Sequence, residues 1–357
     1  MDVKALLKMV TELGASDLLL KVNTPPLMRL YGVWTPMTES KLGPEETLQA
    51  AKAVASPAEW SSFEKDLELD IAFELPGVAR FRVNFFQQRG TIGSAWRRIP
   101  SSVPSIEELG LPEIAKSLAM RPRGLVLATG PAASGKSTTL AAMVDCRNAN
   151  EECHIMTIED PIEFVHHDKL GIVNQRQVGR DTQSFANGLK YVLRQDPDVI
   201  AIGEMRDLDT ISLAITASET GHLALGTLHT TDAASTIDRV VNAFPSHQQQ
   251  QIRMQVSVNL VAVVSQLLLR RIDGSGMVAA YEILMATGAV RNAIREGKTY
   301  QIPQLMQTGG KHGIVSMEQS LKKLIEQGIV SAEDALAVAP HPDELRGLIP
   351  QAAGSAA

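Results

Sequence analysis

Cysteine is nearly absent: Cys146 and Cys153 are the two thiols in 357 residues. Two thiols cannot form a disulfide framework and are too few for a four-cysteine zinc site, so a reducing cytosol is implied. Aromatic residues are scarce, at 4%, and the cores are expected to be aliphatic. Long apolar runs are missing. The best of them, Leu260–Leu269, is interrupted by Ser265 and Gln266, short of the ~20 apolar residues of a membrane span. The opening residues 1–8 lack the apolar core of a signal peptide, so any membrane contact is expected to be peripheral. Positive charge is not in excess, with 34 Lys and Arg against 40 Asp and Glu. That balance, without interleaved basic and aromatic residues, argues against a nucleic-acid partner. No internal repeat or low-complexity tract is evident.

What is present is enough for two domains. Hydrophobic residues make up 44% of the chain. Residues 2–13 carry Leu6, Val10 and Leu13 at helical spacing, with Gly14 as a stop. Strand-like runs follow at 18–22, 27–30, 71–74, 79–86 and 91–98, with a helical stretch around 44–65. This part, residues 1–100, reads as a small α+β domain. The Ser- and Pro-rich stretch 101–112 reads as a linker. The second domain is read from residue 113, and from Arg123 the pattern changes. Apolar runs at 125–128, 155–158, 199–202 and 223–228 alternate with helical segments and show no period of two. Strands buried on both faces have that pattern, which predicts an α/β domain with a largely parallel sheet and crossover helices. Beyond residue 285 the chain reads as helical, and residues 350–357 as a disordered tail.

Four motifs carry chemistry. Gly130-Pro-Ala-Ala133-Ser134-Gly135-Lys136-Ser137-Thr138 fits G-x-x-x-x-G-K-[ST], between an apolar run and a helix former. In that context loop N–H groups converge on phosphate oxygens. Lys136 reaches the β- and γ-phosphates, and the Ser137 hydroxyl ligates Mg²⁺. Residues 157–164, Thr-Ile-Glu-Asp-Pro-Ile-Glu163-Phe, put carboxylates after a strand, where one could polarise an attacking water; by themselves they better suit a solvated acidic turn. In residues 196–207 the strand Val199–Ile202 ends in Gly203 and Glu204, where a carboxylate near Mg²⁺ belongs. Residues 221–231 bracket a buried run with His222 and His229. His229 lies at the carboxyl end, where ligands of such sheets bind, and His222 suits a structural role. Arg80, Arg82, Arg89, Arg97 and Arg98 form a basic cluster on the N-terminal strands.

In this order the four stretches resemble the Walker A motif, Asp box, Walker B motif and His box of the secretion and pilus ATPase superfamily. Residues 289–296 (Ala-Val-Arg-Asn-Ala-Ile-Arg-Glu), 304–310, 14–18 and 25–29 are similar to its type IV pilus retraction branch, the PilT type. The resemblance covers about residues 2–345. It implies a PAS-like N-terminal domain and a RecA-like ATPase domain, with ATP as substrate and Mg²⁺ as cofactor. It implies Glu163 as general base, Glu204 as the Walker B glutamate and His229 as the second His-box histidine. Arg82 and Arg97 match the arginine pair that reaches the nucleotide in relatives. The implied assembly is a homo-hexamer at the cytoplasmic face of the inner membrane. It would act on a pilus platform protein, beside a paralogous pilus ATPase, and power retraction and twitching motility. Alternatives are a PilU-like accessory that depends on a partner motor, or a pilus-assembly or type II secretion ATPase. The chain departs from the family at Ala132-Ala133, where relatives carry Thr-Gly, and an Ala there restricts the backbone. It also has Leu19 where relatives have His.

Overall fold

The computed structural model describes residues 2–30, 32–99, 102–310 and 313–349; the tail expected to be disordered lies outside them. The chain divides into two units. One is built on residues up to 102 with Pro161–Val165, the other on the remainder.

In the first unit, α1 (Val3–Glu12) buries Val3, Leu6, Leu7 and Val10, one stripe at helical spacing, and Asp2 caps it by accepting from the Lys4 N–H at 2.9 Å. Strands β1 (Asp17–Leu20), β2 (Leu27–Leu30) and β3 (Val33–Pro36) precede two helices. These are α2 (Pro44–Lys52) and α3 (Pro57–Asp66), each opened by a proline and a capping glutamate. The interruption at residues 53–56 splits the single helical stretch that the sequence suggests. Strands β4 (Glu68–Leu75), β5 (Ala79–Gln88) and β6 (Thr91–Ile99) complete an antiparallel sheet of order β3-β2-β1-β6-β5-β4. Its core corrects the expectation of aliphatic packing. Phe63, Phe81, Phe85 and Trp96 are buried there, with Phe73 and Phe85 edge-on to Trp96 at centroid distances of 6.2 and 5.9 Å. The aromatics are few in the whole chain but concentrated in this unit.

The second unit has the aliphatic core. Its elements begin with α4 (Ile114–Ala119), β7 (Gly124–Thr129), α5 (Lys136–Asn150), β8 (His154–Glu159), β9 (Ile172–Gln177) and α6 (Phe185–Val192). Next come β10 (Val199–Ile202), α7 (Leu208–Glu219), β11 (Leu223–Leu228), α8 (Ala233–Asn242), α9 (Ser246–Asn259), β12 (Leu260–Arg270) and β13 (Met277–Met285). The helices α10 (Gly288–Arg295), α11 (Ile302–Thr308), α12 (Met317–Glu326), α13 (Ala332–Val338) and α14 (Pro342–Leu348) follow. The strand order is β13-β12-β7-β11-β10-β8-β9, parallel except for the antiparallel β12–β13 pair. Every residue of β7, β10 and β11 is buried, which is why their sequences carry no alternation. Ile106 and Leu111, within the stretch expected as linker, are buried in this unit's core. No described helix is long and apolar enough to cross a membrane. The run 260–269 is instead a strand, and its polar interruptions Ser265 and Gln266 are buried.

Candidate functional site

Parallel register brings four strand ends to one edge. Thr129 pairs with Leu228, Gly226 with Ile202, and Ile202 with Ile158. The loop 130–135, Glu204 and His229 all leave from that edge, where open parallel sheets bind ligands.

The loop from Gly130 to Gly135 is held by its backbone. Gly130 has φ +143°, and a Cβ there would lie 2.3 Å from the Gln266 carbonyl oxygen and 2.6 Å from Ser134 Oγ. Gly135 has φ +89°, and its Cβ would lie 3.0 Å from Gln266 Nε2. Gln266, buried on β12, staples the loop: its Nε2 donates to the Ser134 carbonyl, and its Oε1 accepts from Thr139 Oγ1 at 2.8 Å. Ala133 sits in the left-handed region at φ +60°, so the departure from the family falls where glycine is favoured. Lys136 opens α5 and is buried, with Nζ donating to the carbonyls of Gly130 at 2.9 Å and Pro131 at 2.7 Å. Ser137 and Thr138 occupy the same first turn, and no side chain caps that end. Its N–H groups are therefore available to an anion. Ser134 Oγ is buried and has no hydrogen-bond partner among the described residues.

Glu204 and His229 are brought together. His229 Nε2 lies 2.9 Å from Glu204 Oε1, and Arg206 Nε contacts the same oxygen at 2.5 Å. Burial by itself would raise the Glu204 carboxyl. The hydrogen bond and charge of Arg206, with His229, outweigh it and hold the group below its ordinary value, hence ionised. His222 turns away: its Nδ1 contacts the Ala217 carbonyl and the Thr220 hydroxyl at 3.0 Å each, at the end of α7. Among the described residues no cluster of three His, Cys, Asp or Glu side chains could hold a metal by itself.

The remaining candidates belong to the first unit. Arg82 and Arg97 stand directly opposite each other across β5 and β6. Like charges so placed are unfavourable, and each has its own acid: Asp70 at 3.8 Å from Arg82, Asp17 at 3.0 Å from Arg97. They line a cavity of about 390 Å³ with Arg29, whose guanidinium lies over Trp34 at 4.6 Å. Glu163, half-buried, lies in the irregular segment after β8 that groups with this unit. The motifs single out Lys136, Glu204 and His229 without Gln266 or the pairing role of Arg206. The signal for Gln266 was its polarity within an otherwise apolar buried run.

A family model described as type II/IV secretion system protein matches residues 101–337. The type IV pilus retraction ATPase PilT of Pseudomonas aeruginosa is 48% identical over 343 residues, 96% of this chain and 99% of the relative. The type IV pilus ATPase PilU of the same organism is 41% identical, over 98% and 91% of the two chains. A crystal structure of the pilus retraction motor PilT with bound ADP superposes with a TM-score of 0.91 at 45% identity, covering 97% of this chain and 99% of that one.

Proposed function

The chain belongs to the type II/IV secretion system protein family, in the branch of the type IV pilus retraction ATPases, and from that premise we propose that it is an ATP-driven motor of pilus retraction. The observation that supports the ATPase reading is that the glycine-framed loop ahead of Lys136 and the Glu204–His229 pair leave from the same edge of the parallel sheet. Lys136 and the N–H groups of α5 bind the phosphates of ATP. The Ser137 hydroxyl and the ionised Glu204 suit Mg²⁺. When bound, Mg²⁺ neutralises phosphate charge. Glu163 takes the proton of the attacking water, and His229 orients Glu204. Arg82 and Arg97, on exchanging their carboxylate partners for the nucleotide, offset charge that develops in the transition state. The fold reading is a PAS-like unit joined to a RecA-like unit. The assembly is a homo-hexamer, cytoplasmic and peripheral at the inner membrane, engaging a platform protein.

Steady-state ATP hydrolysis with Mg²⁺ over a range of protein concentration tests this. Turnover is expected to require Lys136 and to rise per subunit as the ring assembles. Lys136→Ala is expected to lose nucleotide binding and turnover, whereas Glu163→Gln keeps binding and loses turnover by about 10²-fold or more. Near-normal hydrolysis by Glu163→Gln would remove it as the base. The strained Ala133 favours a second reading, a PilU-like accessory. Nucleotide binding without turnover, restored by a paralogous motor, would select it.

A further inference from the structure

Glu282 is a buried carboxyl that the reaction described above does not use. It lies on β13, 8% exposed. Three strands place Thr129, Ser265 and Glu282 in one row: Ser265 pairs with Thr129 on one side and with Glu282 on the other. Paired residues of adjacent strands share a face. Thr129, the residue before Gly130, donates from Oγ1 to Ser265 Oγ at 2.9 Å. That leaves the Ser265 proton directed to its other cross-strand neighbour. Glu282 Oε1 accepts from the Ala233 N–H at 2.8 Å. Ala233 is the first residue of α8 and fully buried. That helix end closes the loop that carries His229, which Thr230 also ties to Thr236 by a hydroxyl pair at 2.6 Å.

A buried carboxyl is a costly way to fill space in a sheet. The acids facing it add to the cost. Asp232 lies ahead of α8, and Glu318, 4% exposed, lies in the first turn of α12 with Oε1 buried and unpartnered. β12 presents Ser265 opposite it, and among the described residues no cation is paired with Glu282. Burial, first, and these two acids then push the Glu282 carboxyl up to about 7.

We propose that Glu282 is a positioning residue of the ATPase, tying the base of the phosphate loop through Thr129 and Ser265 to the head of α8, so that the loop and His229 keep one fixed separation. This rests on the reading of those two segments as the ATP site. Either protonation form of Glu282 accepts from Ala233. Ionisation sets a negative charge between the N-terminus of α8, which favours it, and Asp232 and Glu318, which repel it, so the strength of the tie changes with pH. A glutamine keeps the acceptor and cannot ionise.

The test is kcat and KM for ATP of the full chain from pH 6 to 8.5, with Glu282→Ala, Glu282→Gln and Ser265→Ala, each with its melting temperature. Glu282→Ala is expected to lower kcat by about 10- to 100-fold with KM changed by less than about threefold, because misplaced groups act on the chemical step. The wild type is expected to show a step in kcat near pH 7, and Glu282→Gln to lose that step while retaining kcat within about threefold. Ser265→Ala is expected to lower kcat less than Glu282→Ala does and carries the test if that variant does not fold. Wild-type kcat in Glu282→Ala, or equal losses of kcat and melting temperature in Glu282→Ala and Glu282→Gln, overturns the positioning role. If hydrolysis by the wild type does not need Lys136, the ATP-site reading itself fails, a result separable from the first.

Discussion

The two sheets hold their charged and polar groups in opposite ways. In the antiparallel sheet the core is aromatic and the candidate arginines are themselves exposed: the side chains of Arg82 and Arg97 are 44% and 69% exposed, against 52% and 14% for their partners Asp70 and Asp17. In the parallel sheet the core is aliphatic, yet polar groups are buried within it and paired: the Gln266 amide donates to the Ser134 carbonyl of the loop 130–135, Thr129 donates to the Ser265 hydroxyl, and the Glu282 carboxyl accepts from the head of α8. Exposed pairs contribute little and exchange partners readily. Buried, satisfied polar contacts cost a great deal to break. The first arrangement suits arginines that must leave one carboxylate for another anion. The second suits a phosphate site that must not move.

That contrast can be broken by substitution. Trp96→Ala empties the aromatic core and leaves the Ser94 hydroxyl, now 2.8 Å from the indole N–H, without its donor. Urea unfolding is expected to show a loss of about 3–5 kcal/mol. Gln266→Ala takes from the Ser134 carbonyl the amide that donates to it and from the Thr139 hydroxyl its amide acceptor. About 2–4 kcal/mol of stability should be lost, with weaker nucleotide binding in a fluorescent-analogue titration; an unchanged affinity would mean the loop needs no staple. Ala133→Gly relieves a left-handed alanine and should raise stability by about 1 kcal/mol, read as a higher melting temperature. Asp70→Ala removes an exposed partner of Arg82 and should cost less than about 1 kcal/mol. A larger cost would show that the arginine is fixed rather than exchangeable.

Much of this was legible in the chain itself. The four runs read as buried strands became β7, β8, β10 and β11, because burial on both faces erases alternation within each segment. The long strands β12 and β13 were not anticipated. The run at 260–269 announces only that it is apolar, and its partner strand is identified by pairing. Clustering of the few aromatics in one unit was hidden by an average over the whole chain. The Glu204–His229 contact was approachable from motif order, whereas Arg206 on the same carboxylate was not, since its direction depends on the turn after β10.

By itself the sequence determined the family, and it singled out the motif at residues 130–138, Glu204 and His229 as candidates, since each motif rests on residues close together in the chain. Tertiary structure alone decided which buried polar groups hold that site. Thr129 meets Ser265 across 136 positions, and Gln266 reaches Ser134 across 132. Strand order and register set such pairings, and these form only when the apolar faces of distant segments are buried together.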